Sequence, residues 1–500
     1  MGNNKYHFSM KSKVKRILGI SLIFLILVCI GLGIYLHFFT REENLYKKYL
    51  KNTNYQFLER FYDGQSGNKH TYVLKGIIYN VRKTDDNIVF DINAWDLDTK
   101  ESLYFTDIEL SNIAVSEGTM EDILYEFEPV SMRFEFEEKN LTKLNIEKLS
   151  FTGQQYKYAS ETLWKFLTSG YSSRVDESGY SDVLPVNVIN ENGRVSVLPV
   201  YVNTDALFGL YGLSLLSTSE RDDSGLNVEE YITETVNRIK SQSEEKGIDE
   251  LRLPGSCTLM YKLRESKVYP SSQLDRLLEV FCNKSAYEAM SSKGGYESSW
   301  EELSSFIDSN SLDVNYEPGE VFTNLMYLSD IYSFSKIYGE VLDSKKVENM
   351  ENLIARSILS SSKDTKTYNI PYKTLCSLSY ALKEVPEGTD IEKYSDLLNK
   401  LGGILNDYGN RKDLLESFEK DTKSGLMCVA AFEDSMYADI RNLMESVLLK
   451  MYYVDIYSVA DEQGNFYNGA WSKSSKGYPM LAIEDNVRYY NLLRKVYDKK

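Results

Sequence analysis

Histidine is nearly missing from this chain: His7, His37 and His70 are the three in 500 residues. Everything beyond residue 70 works without imidazole. That excludes His-dependent hydrolase triads, two-His metal sites and His general bases from the remaining sequence. Cysteine is sparse as well. Cys29 lies in an apolar run, and Cys257, Cys282, Cys376 and Cys428 each stand alone in apolar helical stretches, with no CxxC among the five. This is the pattern of small buried thiols and offers no convergent metal spacing, so neither a metal site nor a cofactor is expected. Tryptophan is limited to Trp95, Trp164, Trp300 and Trp471, few for a sugar-processing cleft. No Gly-rich phosphate loop, EF-hand, Ser nucleophile elbow or HExxH occurs.

Positive charge is also short. The formal net charge is −17, yet residues 1–50 carry eight Lys/Arg against two Glu, which leaves −23 on residues 51–500. An acidic body repels phosphate backbones, so nucleic acid is excluded as a partner. With 42% hydrophobic and 26% charged residues the composition is that of a folded protein rather than a disordered one.

One long uncharged run is present. Residues 17–39 hold 23 residues without a formal charge, which at ~1.5 Å per residue is enough to cross a hydrocarbon core of roughly 30 Å. Lys5, Lys11, Lys13, Lys15 and Arg16 precede it, while Arg41, Lys47 and Lys48 follow among Glu42 and Glu43. The Lys/Arg bias places the N-terminus inside and the rest outside. A cleaved signal peptide would need a shorter core and a small-x-small site. A lipoprotein would attach its lipid at Cys29, where Val28 precedes and ten more uncharged residues follow. The expectation is a single-pass membrane protein, with a basic cytoplasmic tail over 1–16, a transmembrane helix over 17–39 and a polar spacer over 40–69.

From 70 to 152 the apolar period is two. Met132, Phe134 and Phe136 alternate with Arg133, Glu135 and Glu137, and Ile88, Phe90 and Ile92 with Asp91 and Asn93. Breaks at Thr84–Asn87, Asp98–Lys100 and Glu138–Asn140 join the runs as hairpins. About five antiparallel strands are expected, with a helical turn near Met120 to Tyr125.

From 153 to 500 the period is helical. Ile391, Tyr394, Leu397, Leu398, Leu401, Ile404, Leu405 and Tyr408 form one stripe, and Val347, Met350, Leu353, Ile354 and Ile358 form another. Twelve helical stretches fall into six pairs. First members begin near 155, 228, 272, 346, 391 and 437 and are mostly amphipathic. Second members begin near 205, 256, 320, 372, 425 and 480 and are more apolar, four of their five intervals lying between 51 and 55 residues. Such a period marks a repeat architecture, and six pairs would close into an (α/α)6 toroid. The fold class expected is therefore α+β multidomain: an N-terminal transmembrane helix, a small antiparallel β domain and a C-terminal (α/α)6 toroid-like helical-pair domain.

Two repeats share local sequence. Asn190-Glu191-Asn192-Gly193 precedes Pro199 and, six residues on, Asp205. Asp461-Glu462-Gln463-Gly464 precedes Pro479 and, again six on, Asp485. This Gly-turn, Pro, acidic helix start and Tyr/Leu-rich helix resembles the repeats of terpenoid cyclase and prenyltransferase-type toroids over roughly 155–500. The resemblance implies a fold. The activities of that family need a zinc-binding His, a DxDD acid or, in complement-like toroids, a Cys-Gly-Glu-Gln thioester, and this sequence has none of them.

What is left is carboxylates and aromatics. Some (α/α)6 glycosidases work with two Asp/Glu residues alone. Asp205, Glu484 and Asp485 stand at inner-helix starts, where an acid equally serves to stabilise the helix dipole. Tyrosine is abundant, at 39, and suits either sugar stacking or a wet core rim. Tyr467 and Trp471, in an aromatic loop before the last inner helix, are candidates for binding or for plugging the toroid mouth. The long segment 170–202 suggests a hairpin that serves as a lid or binding element. The function expected is a membrane-anchored extracytoplasmic binding or scaffolding protein of the cell envelope, with a glycan or envelope protein as partner. The alternative is a carboxylate-dependent, glycan-active enzyme.

Overall fold

The computed structural model describes residues 19–34, 70–84, 87–98, 100, 102–109, 113–115, 124–137, 140–168, 187–198, 203–223, 254–283, 318–341, 343–360, 372–385, 392–406, 422–432, 438–474 and 476–498, with scattered positions between 227 and 237. The expected cytoplasmic tail and spacer lie outside these residues.

The first expected element needs correction. A helix, α1, is described over 19–34, sixteen residues that cover ~24 Å at 1.5 Å per residue. Among the described residues no helix is long and apolar enough to cross a membrane. The transmembrane helix of the expected fold class does not stand.

The chain divides into two compact units. One comprises Met1–Ile123 and Val130–Glu147, the other Leu124–Pro129 and Lys148–Lys500. The first unit is a six-stranded sheet of β1 (His70–Lys83), β2 (Ile88–Trp95), β3 (Ser102–Glu109), β4 (Ile113–Val115), β5 (Pro129–Glu137) and β6 (Asn140–Lys148). Its order is β3-β2-β1-β5-β6-β4. The expected all-antiparallel sheet of five strands is departed from at β4, which pairs in parallel with β6. Three residues are too few to show a period, so this strand left no trace in the pattern. The expected turn near Met120 to Tyr125 is described only from Leu124 and is a bend.

Alternation in β2 also breaks down, because Asp91 and Asn93 are buried along with Phe90 and Ile92. Asp91 accepts hydrogen bonds from Asn80 Nδ2 at 2.8 Å, Arg82 Nη2 at 2.9 Å and the Asp107 amide at 2.8 Å. Asn80 and Asp107 have φ of 54° and 56° and sit in the register shifts of the strands flanking β2. One buried carboxylate thus fastens two bulges. On the core face Phe105 stacks on Phe134, with centroids 5.2 Å apart.

The second unit is built on helices. These are α2 (Gly153–Thr168), α3 (Asn203–Leu215), α4 (Thr218–Asp223), α5 (Ser256–Ser266), α6 (Ser271–Phe281), α7 (Pro318–Tyr338), α8 (Ser344–Ser360), α9 (Tyr372–Lys383), α10 (Glu392–Asn406), α11 (Thr422–Ala431), α12 (Ala438–Lys450) and α13 (Ile483–Asp498). The helices α3, α5, α7, α9, α11 and α13 pack each on the next, and α13 returns onto α3. They form a closed inner ring of six. Outside it α6, α8, α10 and α12 pack on α5, α7, α9 and α11, while α2 covers the joint between α13 and α3. Periodicity separates the layers. Outer α6 buries only Leu274, Leu277, Leu278 and Phe281, one stripe, worth ~1.5–3 kcal/mol per side chain. Ring helix α3 buries Ala206, Leu207, Phe208, Leu210 and Leu213 on more than one face.

Ring closure depends on Gly212. A Cβ there would lie 2.6 Å from Val487 of α13 and 3.2 Å from Leu167 of α2, so α3 meets both helices over a bare backbone.

Sheet elements sit beside the joint. Strands β7 (Asn187–Glu191) and β8 (Arg194–Leu198) form the hairpin expected in 170–202. Its turn residues Asn192 and Gly193 both have positive φ, 53° and 91°, as an Asn-Gly hairpin turn requires. After a π-helical turn (Met451–Asp455) come β9 (Ile456–Ala460), β10 (Phe466–Ala470), β11 (Ser472–Lys473) and β12 (Pro479–Leu481). Strands β9 and β10 pair with each other, whereas β11 and β12 join the hairpin in the order β11-β12-β7-β8. The two shared sequence motifs are thus both hairpin turns, and the first repeat's Pro199 lies outside the described residues.

A disulfide corrects the reading of lone thiols. Cys257 of α5 is bonded to Cys282, which follows α6, with Cα atoms 4.8 Å apart. Two helices running antiparallel across a short turn bring together cysteines that are distant in sequence. Cys376 and Cys428 are buried and take no part in a disulfide.

Candidate functional site

The acidic and aromatic candidates separate into two groups. Asp205 accepts a bond from Asn187 Nδ2 at 2.8 Å, while Asn187 Oδ1 accepts the Ile483 amide at 3.0 Å. Asn187 therefore stitches the starts of α3 and α13 together, and Asp205 belongs to that clamp. Asp485 is buried, and its Oδ2 accepts the Ser472 hydroxyl at 2.6 Å. The next residue, Asn486, exchanges hydrogen bonds with the amide and carbonyl of Ala470. The first turn of α13 thus holds β10 and β11.

Tyr467 and Trp471 are enclosed, at 0% and 2% exposure. Tyr467 donates its hydroxyl to Asp461 at 2.9 Å. Trp471 donates Nε1 to the Tyr457 carbonyl at 2.9 Å and stacks on the Tyr457 ring at 5.3 Å. Neither turns a ring face to solvent, and both pack the strands beside the ring joint.

Glu484 is placed differently. One helical turn separates it from Arg488, whose Nη2 and Nε reach Glu484 Oε1 at 2.5 and 3.1 Å. The guanidinium carbon lies 4.2 Å from the Tyr380 ring centre and 4.9 Å from that of Phe208. Arg488 is thus held between α3 and α9, where stacking suits its flat cation. Glu384, just beyond α9, hydrogen-bonds Tyr380 and forms an ion pair with Lys262 of α5. Lys262 Nζ in turn stands 5.7 Å from the Tyr211 ring centre of α3. One network, Glu484–Arg488–Tyr380–Glu384–Lys262–Tyr211, therefore links side chains from α3, α5, α9 and α13.

Electrostatics keep this network charged. Burial alone would raise the Glu384 carboxyl. The Lys262 ammonium, its hydrogen bond and the Arg488 guanidinium outweigh burial and hold the group below the ordinary Glu value. Burial would likewise lower Lys262, but Glu384, Tyr380 and Tyr211 together outweigh it and raise the ammonium. The Tyr380 hydroxyl is raised, by burial first. Solvent reaches the network, since Lys262 keeps 29% of its side-chain surface and Glu484 keeps 16%.

Sequence patterns singled out Glu484 and passed over Lys262, Glu384, Arg488 and Tyr380. The signal available was a charge within an otherwise apolar ring helix, as in SCTLMYKLRES of α5. Asp330 on α7 carries the same signal. It is fully buried, and burial raises its carboxyl to about 7 against hydrogen bonds from Thr258 and Gly255. Among the described residues no group of His, Cys, Asp and Glu is placed to hold a metal ion.

No protein-family model and no curated relative matches this chain. Among solved structures, it is similar to a mutant unsaturated glucuronyl hydrolase from Streptococcus agalactiae at 13% identity and a TM-score of 0.42, over 71% of this chain and 93% of that one. A second mutant of that enzyme, complexed with dGlcA-GalNAc6S, gives 11% identity and a TM-score of 0.38, over 71% and 94%. Neither is of the terpenoid cyclase or prenyltransferase type. A likeness this distant assigns no activity.

Proposed function

We propose that the helical ring acts on a glycan chain, with Glu384 and Glu484 as its working carboxylates. The observation that carries this reading is their membership of one solvent-reached network inside a ring that apolar side chains could have filled. Cleaving a glycosidic bond takes one carboxylate as base or nucleophile and a second group that protonates the leaving oxygen. Glu384, held ionised by Lys262 and Arg488, suits the first role. Glu484, held by Arg488 in the same network, is assigned the second role. The half-buried ring of Tyr211 supplies a face for sugar stacking.

The Cys257–Cys282 bond supports placing this unit outside the reducing cytoplasm, where disulfides persist. The acidic surface again leaves nucleic acid aside. Replacing Glu384 or Glu484 by Gln is expected to abolish release of reducing ends from a cell-wall or capsular glycan, with folding retained.

A second reading, a binding or scaffolding protein without turnover, is favoured by one observation: both carboxylates are ion-paired. In that case Tyr211→Ala weakens glycan capture and no hydrolysis is found with any variant.

A further inference from the structure

Behind the Lys262–Glu384 pair runs a line of buried hydroxyls. Asp330 Oδ2 accepts the Gly255 amide at 2.8 Å, and Oδ1 lies 2.9 Å from both the amide and the hydroxyl of Thr258. The Thr258 hydroxyl lies 2.9 Å from that of Ser329, and Ser329 Oγ donates to the main-chain carbonyl of Glu384 at 2.8 Å. Ser333 Oγ adds a longer contact to Thr258, at 3.4 Å. Asp330, Thr258, Ser329 and Ser333 are all buried. Each hydroxyl has one proton to give. If Asp330 is ionised, Thr258 donates to it, Ser329 donates to Glu384, and the Thr258–Ser329 contact has no proton. If Asp330 carries a proton, every contact is satisfied in one direction: Asp330 to Thr258, Thr258 to Ser329, Ser329 to the Glu384 carbonyl.

We infer that Asp330 is a positioning residue for Glu384, acting through Thr258 and Ser329. The same carboxyl binds the first turn of α5, the helix that bears Lys262, so both partners of the ion pair are set from one buried point on α7. The raised carboxyl of Asp330 agrees with the proton count. That Glu384 is a working group rests on the function proposed above; that Asp330 sets its place does not.

The test uses the full chain and needs no substrate. With Glu side-chain carboxyls labelled with carbon-13, the Glu384 signal is identified by its loss in Glu384→Gln and followed against pH. In Ser329→Ala the carbonyl of Glu384 loses its anchor, the carboxyl drifts from Lys262, and its titration moves upward toward the ordinary Glu range. Asp330→Ala is expected to do the same; if it does not fold, Ser329→Ala alone decides. A Glu384 titration unchanged in folded Ser329→Ala overturns the inference. Glycan turnover measured alongside separates the two ideas. Turnover surviving in Glu384→Gln defeats the proposed function, while a shifted Glu384 in Ser329→Ala still upholds the positioning role.

Discussion

At the scale of single residues, three acids that look alike in sequence have three fates. Asp205 and Asp485 both open a ring helix six residues after a proline, and both are spent on holding strands beside the ring joint. Glu484, their neighbour, faces Arg488 in the charged network. Spacing along the chain could not tell them apart, because the deciding partners, Asn187, Ser472 and Arg488, come from different elements. Asp485→Ala leaves the buried Ser472 hydroxyl only its longer contact to the Met480 carbonyl, at 3.3 Å, and is expected to cost about 0.5–1.5 kcal/mol in chemical unfolding, with glycan turnover per folded molecule unchanged. A loss of turnover without a loss of stability would return Asp485 to the site. Asp330 gives a pH signature. Its folded carboxyl, at about 7, lies above the ordinary 3.8, so the folded state holds the extra proton. Its contribution to stability falls as pH rises from about 4 to 7, by at most about 1.4 kcal/mol per pH unit. Glu384, held low, works the other way and loses stability as pH drops below 4.5. Asp330→Asn, which cannot titrate, is expected to flatten the slope between pH 4 and 7; identical slopes in urea unfolding would contradict the buried-proton account.

Among elements, the ring was the most legible part of the chain. Six apolar helices recur at a regular interval, and periodicity survives any single misread boundary. The charged network was not legible, since Lys262, Glu384 and Arg488 are single residues whose meaning depends on which helices meet. The disulfide and the parallel β4 were hidden for the same reason. Gly212 shows how narrow the fit between elements is. With Val487 only 2.6 Å from a Cβ at this position, Gly212→Val forces α3 away from α13 and is expected to cost about 1–3 kcal/mol. A thermal midpoint equal to that of the wild type would mean that the joint between α3 and α13 is looser than described.

For the whole molecule, closure is what separates a ring from an open stack. Deleting residues 392–431 removes α10 and α11 together, leaving α9 and α13 without their shared neighbour. The helical unit of that variant is expected to lose its single cooperative transition, and an unchanged transition would argue for an open solenoid. Closure also creates the site, because no one helix pair holds both Glu384 and Glu484. The most direct test of the glycan-active reading is therefore reducing-end release from purified cell-wall and capsular glycans by the full chain, measured for the wild type beside Glu384→Gln and Glu484→Gln. The account predicts release by the wild type and none by either folded variant; equal release by all three, or none by any, would contradict it.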